Sequence, residues 1–331
     1  MRAIVLEHRD GISEFTYTED RKIPEPEDDE IRVRVEAAGL NPVDYKLAAG
    51  WGDVSWPQDP VPGLDVAGIV DAAGKNAGNY FREGDRVFYH GNLKKTNGGF
   101  AEYACTSAHT VSRLPAHIDF VTAAALPCAG FTAYQAAVDK LKIDETKSIL
   151  IHAGAGGVGG YAIQLARYLG AGRILTTCSS ENSDYVRSLG ADTALDYHVE
   201  DLYECVMEET DGRGLDYVIN TIDRETATKD IDLLAFSGQL VAVVELPDFS
   251  RLRFYEKGMS IHEVALGGAH MNGDFRAQRR LAEIGDCYVK LLEEGKIQPP
   301  YITEITLDEI PRAFELLRAR HVRGKIVASV K

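Results

Sequence analysis

The run HAGAGGVGG, residues 152–160, constrains this chain more than any other part of it. It places Gly154, Gly156 and Gly159 in G-x-G-x-x-G spacing, directly after the apolar stretch SILI and directly before YAIQLARYLG. Strand, glycine turn and helix in that order make a dinucleotide-binding unit, because each glycine removes a side chain from a place with no room for one. Gly154 is expected to make the tight turn, Gly156 to let a pyrophosphate approach the backbone, and Gly159 to let the helix pack close to the strand. Gly157 and Val158 complete the first turn of a helix over 157–169, whose free N–H groups and positive dipole end favour phosphate. Further strands are expected at 173–177, 193–195, 217–220 and 239–243, with helical stretches between them. Such alternation needs crossover connections and a parallel sheet covered on both faces, a doubly wound α/β domain.

Up to about residue 121 the pattern is different. Short strand-like runs such as IRVRVEAAGL, AGIVDAAG and DRVFYH are broken by Pro, Gly, Asn and Asp, as in an irregular β-rich unit. An Ala-rich apolar stretch over 122–138 reads as a buried or half-buried helix. Past residue 267 come helices over 276–294 and 307–320 and a last strand over 325–330, a tail able to complete the β-rich unit. The expected division is 1–122 for the first part of that unit, 123–267 for the doubly wound domain and 268–331 for the return. A length of 331 residues, 45% of them hydrophobic, supports two cores. The net charge of −15 disfavours nucleic acid and anionic membrane surfaces as partners, since like charges repel at contact. No stretch approaches the roughly 20 consecutive apolar residues of a membrane helix, and the start, MRAIVLEHRD, lacks a signal-peptide core, so a cytoplasmic protein is expected. The cysteines, Cys105, Cys128, Cys178, Cys205 and Cys287, are scattered and form no C-x-x-C pair, which points to reduced thiols and no structural zinc lobe.

The choice of dinucleotide turns on the end of the second strand of the doubly wound domain. A carboxylate there takes the ribose hydroxyls of NAD and repels the extra phosphate of NADP. Cys178 holds that place, followed by Ser179, Ser180, Glu181 and Asn182, so hydroxyl and amide donors face the 2′-phosphate position with no Lys or Arg before Arg187. NADPH is the expected cofactor. Glu181 dissents: turned inward it would weaken or reverse the preference, turned outward it is a solvated loop charge.

The segments GLNPVDYK (39–46), PGLDVAG (62–68), EGDRVF (83–88), GGFAEY (98–103), LPCAGFTAY (126–134), the glycine turn and RGKIV (323–327) have an order and spacing that resemble the zinc-independent medium-chain dehydrogenases/reductases, near the quinone oxidoreductases. The resemblance covers nearly the whole chain. It implies a GroES-like β-rich catalytic domain built from both ends of the chain, a Rossmann domain between them, an active site in the cleft and a homodimer. Zinc-dependent relatives carry a Cys, a His with a neighbouring Glu, and a second Cys around the metal; the matching positions are Asn41, Leu64 with Asp65, and Cys128. A catalytic zinc takes about three protein ligands, so no metal is expected and Cys128 reads as a small buried residue. The resemblance sets Asn41 against the nicotinamide or substrate and offers Tyr45 as a phenolic proton donor, a packing tyrosine being equally open. Asp44 and Lys46 read as a solvent-side ion pair. By the same resemblance Thr132 bonds the nicotinamide ribose, or else bonds within its own helix. Tyr197 and Asn182 flank the 2′-phosphate, Asn182 where some relatives carry a lysine. Val244 with Glu245, and residues 266–268 with Gly267 among them, meet the nicotinamide; Lys325 of RGKIV counts with the cofactor-binding residues. Asn220 stands where an aspartate is often found.

Without a metal to polarise a carbonyl, hydride transfer rests on positioning, hydrogen bonds and an acceptor that is already electron-poor. Quinones and activated carbonyl or enone compounds are the small-molecule substrates expected. A 2-enoyl thioester reductase is a second enzymatic reading, although the nearest approach to a basic cluster for a carrier is Lys94 and Lys95 of LKKTNGG (93–99). A redox sensor that binds NADPH without turnover would have the same glycine turn, and a missing proton donor would favour it. Loop 50–59, with Trp51 and Trp56, reads either as a wall of the substrate cleft or as an exposed loop anchored by its tryptophans.

Overall fold

Strands form where β-branched and aromatic residues alternate or run together. The computed structural model describes residues 1–9, 12–51, 56, 59–253, 255–320 and 322–330. Its strands are, in chain order, β1 (Ala3–Arg9), β2 (Ile12–Thr18), β3 (Glu30–Gly39), β4 (Asp65–Ala73), β5 (Arg86–His90), β6 (Tyr103–Ser107), β7 (Val111–Arg113), β8 (Ser148–Ile151), β9 (Arg173–Cys178), β10 (Thr193–Asp196), β11 (Leu215–Asn220), β12 (Leu234–Ala242), β13 (Ser260–Glu263), β14 (Ile302–Thr306) and β15 (Lys325–Ser329). The chain divides into two compact units: residues 1–131, 266–294 and 299–331 form one, residues 132–265 and 295–298 the other.

In the first unit β1 and β2 make a hairpin, and a mixed sheet runs β14-β15-β3-β4-β5-β7, with β6 also pairing β3. The tail therefore completes this unit: β15 lies antiparallel to β3, with Val327 opposite Gly39. Its core gathers Ile31, Val33, Val66, Val87, Phe100 and Ile326 around Phe314, which the helix Ile310–Arg318 turns inward. The helix Phe275–Glu293 buries Leu281, Ile284, Tyr288 and Leu291, one stripe at helical spacing, and Asp274 caps it by accepting from the N–H groups of Arg276 and Ala277.

The second unit is an all-parallel sheet in the order β10-β9-β8-β11-β12-β13. Every residue of β11 is buried, the near-continuous apolar text of a strand covered on both faces. The last edge, β13, is only four residues long and lay outside the expected strands. The stretch expected as a helix over 122–138 is not a single regular helix. A short helix, Phe120–Ala124, is capped by Asp119, and the chain then rewinds in wide turns over Pro127–Phe131 and Gln135–Lys140. Pro127 has no N–H to continue the first helix, which is the physical reason for the break. No helix among the described residues is long and apolar enough to cross a membrane.

Candidate functional site

In the second unit, β8 leads from buried Ile151 into a turn whose left-handed residue is Ala153, with φ 52°, rather than Gly154. Thr177 of β9 holds that conformation: its hydroxyl accepts from the Ala153 N–H at 3.1 Å and its carbonyl from the Gly154 N–H at 3.0 Å. Gly154 is needed for space, not for φ, since a Cβ there would lie 2.1 Å from Thr176 Oγ1. Gly159 is needed likewise, its Cβ falling 2.2 Å from the Ala153 carbonyl oxygen. A Cβ on Gly156 would meet nothing closer than that oxygen at 3.3 Å, so the space before Gly156 stays open. Gly157, Val158 and Gly159 fill the first turn of the helix Gly157–Tyr168, where N–H groups have no intrahelical acceptor and the dipole is positive. An open cradle before Gly156 with these donors behind it fits the pyrophosphate of a dinucleotide.

At the ribose end, β9 closes on buried Cys178 as expected, but the neighbouring strand brings a carboxylate to the same place. Asp196 pairs in register with Cys178 and accepts from the N–H groups of Ser180 at 3.1 Å and His198 at 3.0 Å. The His198 N–H, with help from Ser180, holds the Asp196 carboxyl below its usual range, so it is charged at neutral pH. The residue that ends β9 does not reveal this charge; the parallel run TALDY beside RILTTC was the available signal. Within the loop, Asn182 donates to Ser179 Oγ at 2.9 Å, and Ser179 in turn reaches Glu181 at 3.4 Å. Tyr197 is exposed, its ring centroid 4.2 Å from that of His198.

Behind the turn lies a buried polar strut that sequence reasoning did not anticipate. His152 Nε2 and Asp230 Oδ1 are 2.9 Å apart, Nδ1 lies 3.2 Å from Thr177 Oγ1, and Asn220 donates to the other Asp230 oxygen at 2.6 Å. Asn220 thus ties the end of β11 to the helix Arg224–Leu233, while its own Oδ1 accepts from Ile222. Val244 is half-buried just past β12, and Glu245 accepts from the Arg224 N–H at 3.2 Å at the start of that helix. Thr132 is buried at the start of its helical segment.

Gly267 and Lys325 belong to the other unit. Gly267 opens the short helix Gly268–Met271, and a Cβ on it would lie 2.2 Å from Leu93. Lys325, at the head of β15, is 4% exposed and sits at the centre of a buried network. Its ammonium donates to Asn41 Oδ1 at 2.5 Å, to the Leu40 carbonyl at 3.1 Å and to Asp65 Oδ2 at 3.2 Å, using all three of its N–H bonds. Asp65, at the head of β4, also accepts from Asn41 Nδ2 at 2.8 Å and from the Cys128 N–H at 2.8 Å. Both ends of the Asn41 amide are therefore committed.

Asp44 does not form the expected solvent-side pair with Lys46. It is 1% exposed and accepts from the Asn41 N–H at 2.8 Å. Burial first, and then the charge of Asp65, push its carboxyl up to about 8, so it holds a proton at neutral pH. His90, the last residue of β5, stacks on His270 with ring centroids 6.2 Å apart. Burial lowers His90 to about 4, with Lys325 adding to the effect, and lowers His270 to about 3. Tyr45 turns to the core instead: its ring meets Phe314 edge-on at 6.1 Å and lies under the Arg318 guanidinium at 5.2 Å. Both are contacts of the ring and involve no hydrogen bond of the hydroxyl. Loop 50–59 lies largely outside the described residues, but Trp56 donates its indole N–H to the Leu93 carbonyl at 2.7 Å and Trp51 is exposed.

Donor atoms of Asp65, His90 and Cys128 lie within 4.8 Å of one another, so three groups with metal-ligand chemistry do meet. As they stand they do not fit a metal. Asp65 already satisfies three donors, one of them a full positive charge, and burial pushes the Cys128 thiol far up, away from the thiolate a metal needs.

Two family models match the sequence, "Alcohol dehydrogenase GroES-like domain" over 27–116 and "Zinc-binding dehydrogenase" over 189–327. The quinone oxidoreductase of Homo sapiens is 32% identical over 247 residues, 73% of each chain. The chloroplastic NADPH-dependent alkenal/one oxidoreductase of Arabidopsis thaliana is 32% identical over 342 residues, 99% of this chain and 79% of that protein. The solved structure of the quinone oxidoreductase from Coxiella burnetii matches with a TM-score of 0.83 and 30% identity, covering 100% of this chain and 99% of that one.

Proposed function

Since this chain belongs to the medium-chain dehydrogenase/reductase family, on its quinone oxidoreductase-like side, we propose that it reduces quinones or activated carbonyl and enone compounds with NADPH and without zinc. The observation that carries the acceptor class is the Lys325–Asp65–Asn41 network. Its charges cancel within the cluster and its donors are committed to one another, so it leaves no free cation to act as a strong Lewis acid. Reduction without such an acid requires an acceptor that draws a hydride by its own electron deficiency, as quinones and conjugated enones do. When bound, the reduced nicotinamide supplies the hydride. The chain holds the dinucleotide through the first-turn N–H groups of Gly157–Tyr168, and the open space at Gly156 sets how closely the phosphates approach.

NADPH is supported by Ser179, Ser180 and Asn182 and by an uncharged Cys178 at the end of β9. Asp196 is the counterweight, and its charge sets how strict the preference is.

The test is the loss of reduced-nicotinamide absorbance with NADPH and NADH separately, against quinones, enones, simple aldehydes and an enoyl thioester. Turnover of quinones or enones with NADPH preferred is the expected result; turnover confined to the thioester would replace the acceptor class. Binding of NADPH with no acceptor reduced would select a sensor, the reading that the core-packed Tyr45 favours.

A further inference from the structure

We infer that Lys325 is a tethered cation standing where a metal would otherwise sit, so that removing this one side chain opens the Asp65–His90–Cys128 cluster to a divalent ion. The inference deepens the zinc-free reading above and rests on it only for this centre, not for the acceptor.

The geometry has three parts. Oxygen, nitrogen and sulfur donors from Asp65, His90 and Cys128 already stand within 4.8 Å of one another, and the His90 Nδ1 is buried with no hydrogen-bond partner. The ligand set is thus assembled from β4, the strand end of β5 and the wide-turn segment Pro127–Phe131. What the cluster lacks is a vacancy in charge: the Lys325 ammonium, 3.2 Å from Asp65 Oδ2, supplies the single positive charge that the buried carboxylate needs. A divalent ion entering beside it would be repelled at short range in a poorly screened interior. Without the ammonium, that repulsion is gone and Asp65 has lost the cation it is paired with. Metal entry then forms an Sγ–metal bond as the Cys128 S–H bond breaks, and the proton leaves to solvent.

Asn41 and Asp44 frame the same point. Asn41 orients its amide on Lys325 and Asp65, and Asp44 shares no bond with the ammonium among the described contacts. Lys325 is thereby a positioning residue: it fixes the Asn41 amide and balances Asp65.

The experiment is a cobalt(II) and zinc(II) titration of the full-length protein after chelator treatment, read as bound metal by mass spectrometry and as the near-ultraviolet thiolate-to-cobalt absorption. The wild type is expected to bind no stoichiometric metal and show no thiolate band. Lys325→Ala, and Lys325→Met, which keeps the apolar stem, are expected to bind one equivalent roughly a hundredfold or more tighter, with a band abolished by adding Cys128→Ser. Zinc should raise the melting temperature of these variants and not that of the wild type. One equivalent on the wild type with a Cys128-dependent band overturns the inference, even if both variants fail to fold. A folded variant that binds no more cobalt than the wild type also overturns it. Quinone turnover is scored separately: a metal-loaded, active wild type removes this inference and leaves the acceptor reading, whereas a metal-free wild type that reduces nothing does the reverse.

Discussion

At the glycine turn, room for chemistry comes from leaving side chains out, and Gly154, Gly156 and Gly159 do it. At the centre of the β-rich unit, charged and polar side chains are packed in against one another, and the hydrogen-bonded partners come from segments around residues 41, 65, 128 and 325. The first device is local and tolerates no added atom at Gly154 or Gly159. The second is assembled over the whole chain and tolerates no missing partner. Stability should therefore depend most on single residues in the second region, and ligand binding most on single residues in the first.

The sharpest way to break this contrast is Asp65→Ala, which strands Lys325 as an unpaired buried charge. It is expected to lower the unfolding free energy by about 3–5 kcal/mol in a urea titration; a loss below about 1 kcal/mol would mean the network is ornamental. Next comes Asp44. Its folded pKa of about 8 is above its ordinary value of 3.8, so the native state holds a proton that the unfolded chain releases. Its contribution is greatest at low pH and is lost as pH rises from about 4 to 8, at up to about 1.4 kcal/mol per unit. Asp44→Asn should remove that slope, so its melting temperature relative to wild type should climb with pH across the window. A parallel pair of curves would show that Asp44 is ionised throughout.

Within the glycine turn the contrast can be sharpened by two alanines. Gly154→Ala forces a Cβ onto Thr176 and is expected to cost about 1–3 kcal/mol of stability. Gly156→Ala should leave stability within about 0.5 kcal/mol, yet weaken NADPH binding measured by fluorescence titration. Equal stability losses would erase the distinction between glycines kept for packing and one kept for the ligand. Asp196→Asn should shift the ratio of NADPH to NADH affinities toward NADPH by up to about tenfold, worth about 1.4 kcal/mol, by removing a charge beside the 2′-phosphate position. The smallest effect is expected of Tyr45→Phe, which keeps the ring against Phe314 and under Arg318: turnover should change less than about twofold, and a loss of about a hundredfold or more would restore Tyr45 as the proton donor.

How much of this could be read from the sequence follows the same division. The strands and glycines of the doubly wound unit are written in short apolar runs beside their turns, so β8, β9, β10 and β11 fall where expected to within two residues. The helical stretch over 122–138 is legible in its apolar count, whereas the break before Pro127 and the wide turns after it are not. Asp44 was misread because a charged residue beside a lysine looks solvated until the third dimension is known. Its spacing from Asn41, three residues ahead of a helix turn, was the overlooked sign that its carboxylate folds back onto the chain. Asp196 and the His152–Asp230 strut were out of reach for a related reason, since a parallel register or a bond across 78 residues leaves no local trace.

Asp65 and Lys325 are separated by 260 residues. At about 5–20 residues per second on the ribosome, the carboxylate emerges roughly 10–50 s before its counter-charge exists. The β-rich unit must wait for that interval with its central acid hydrated or protonated, while the whole of the doubly wound unit over 132–265 is made in between and is free to fold first. The lysine is thus also a completion signal: burial of the acid becomes favourable only once the tail strand has been delivered.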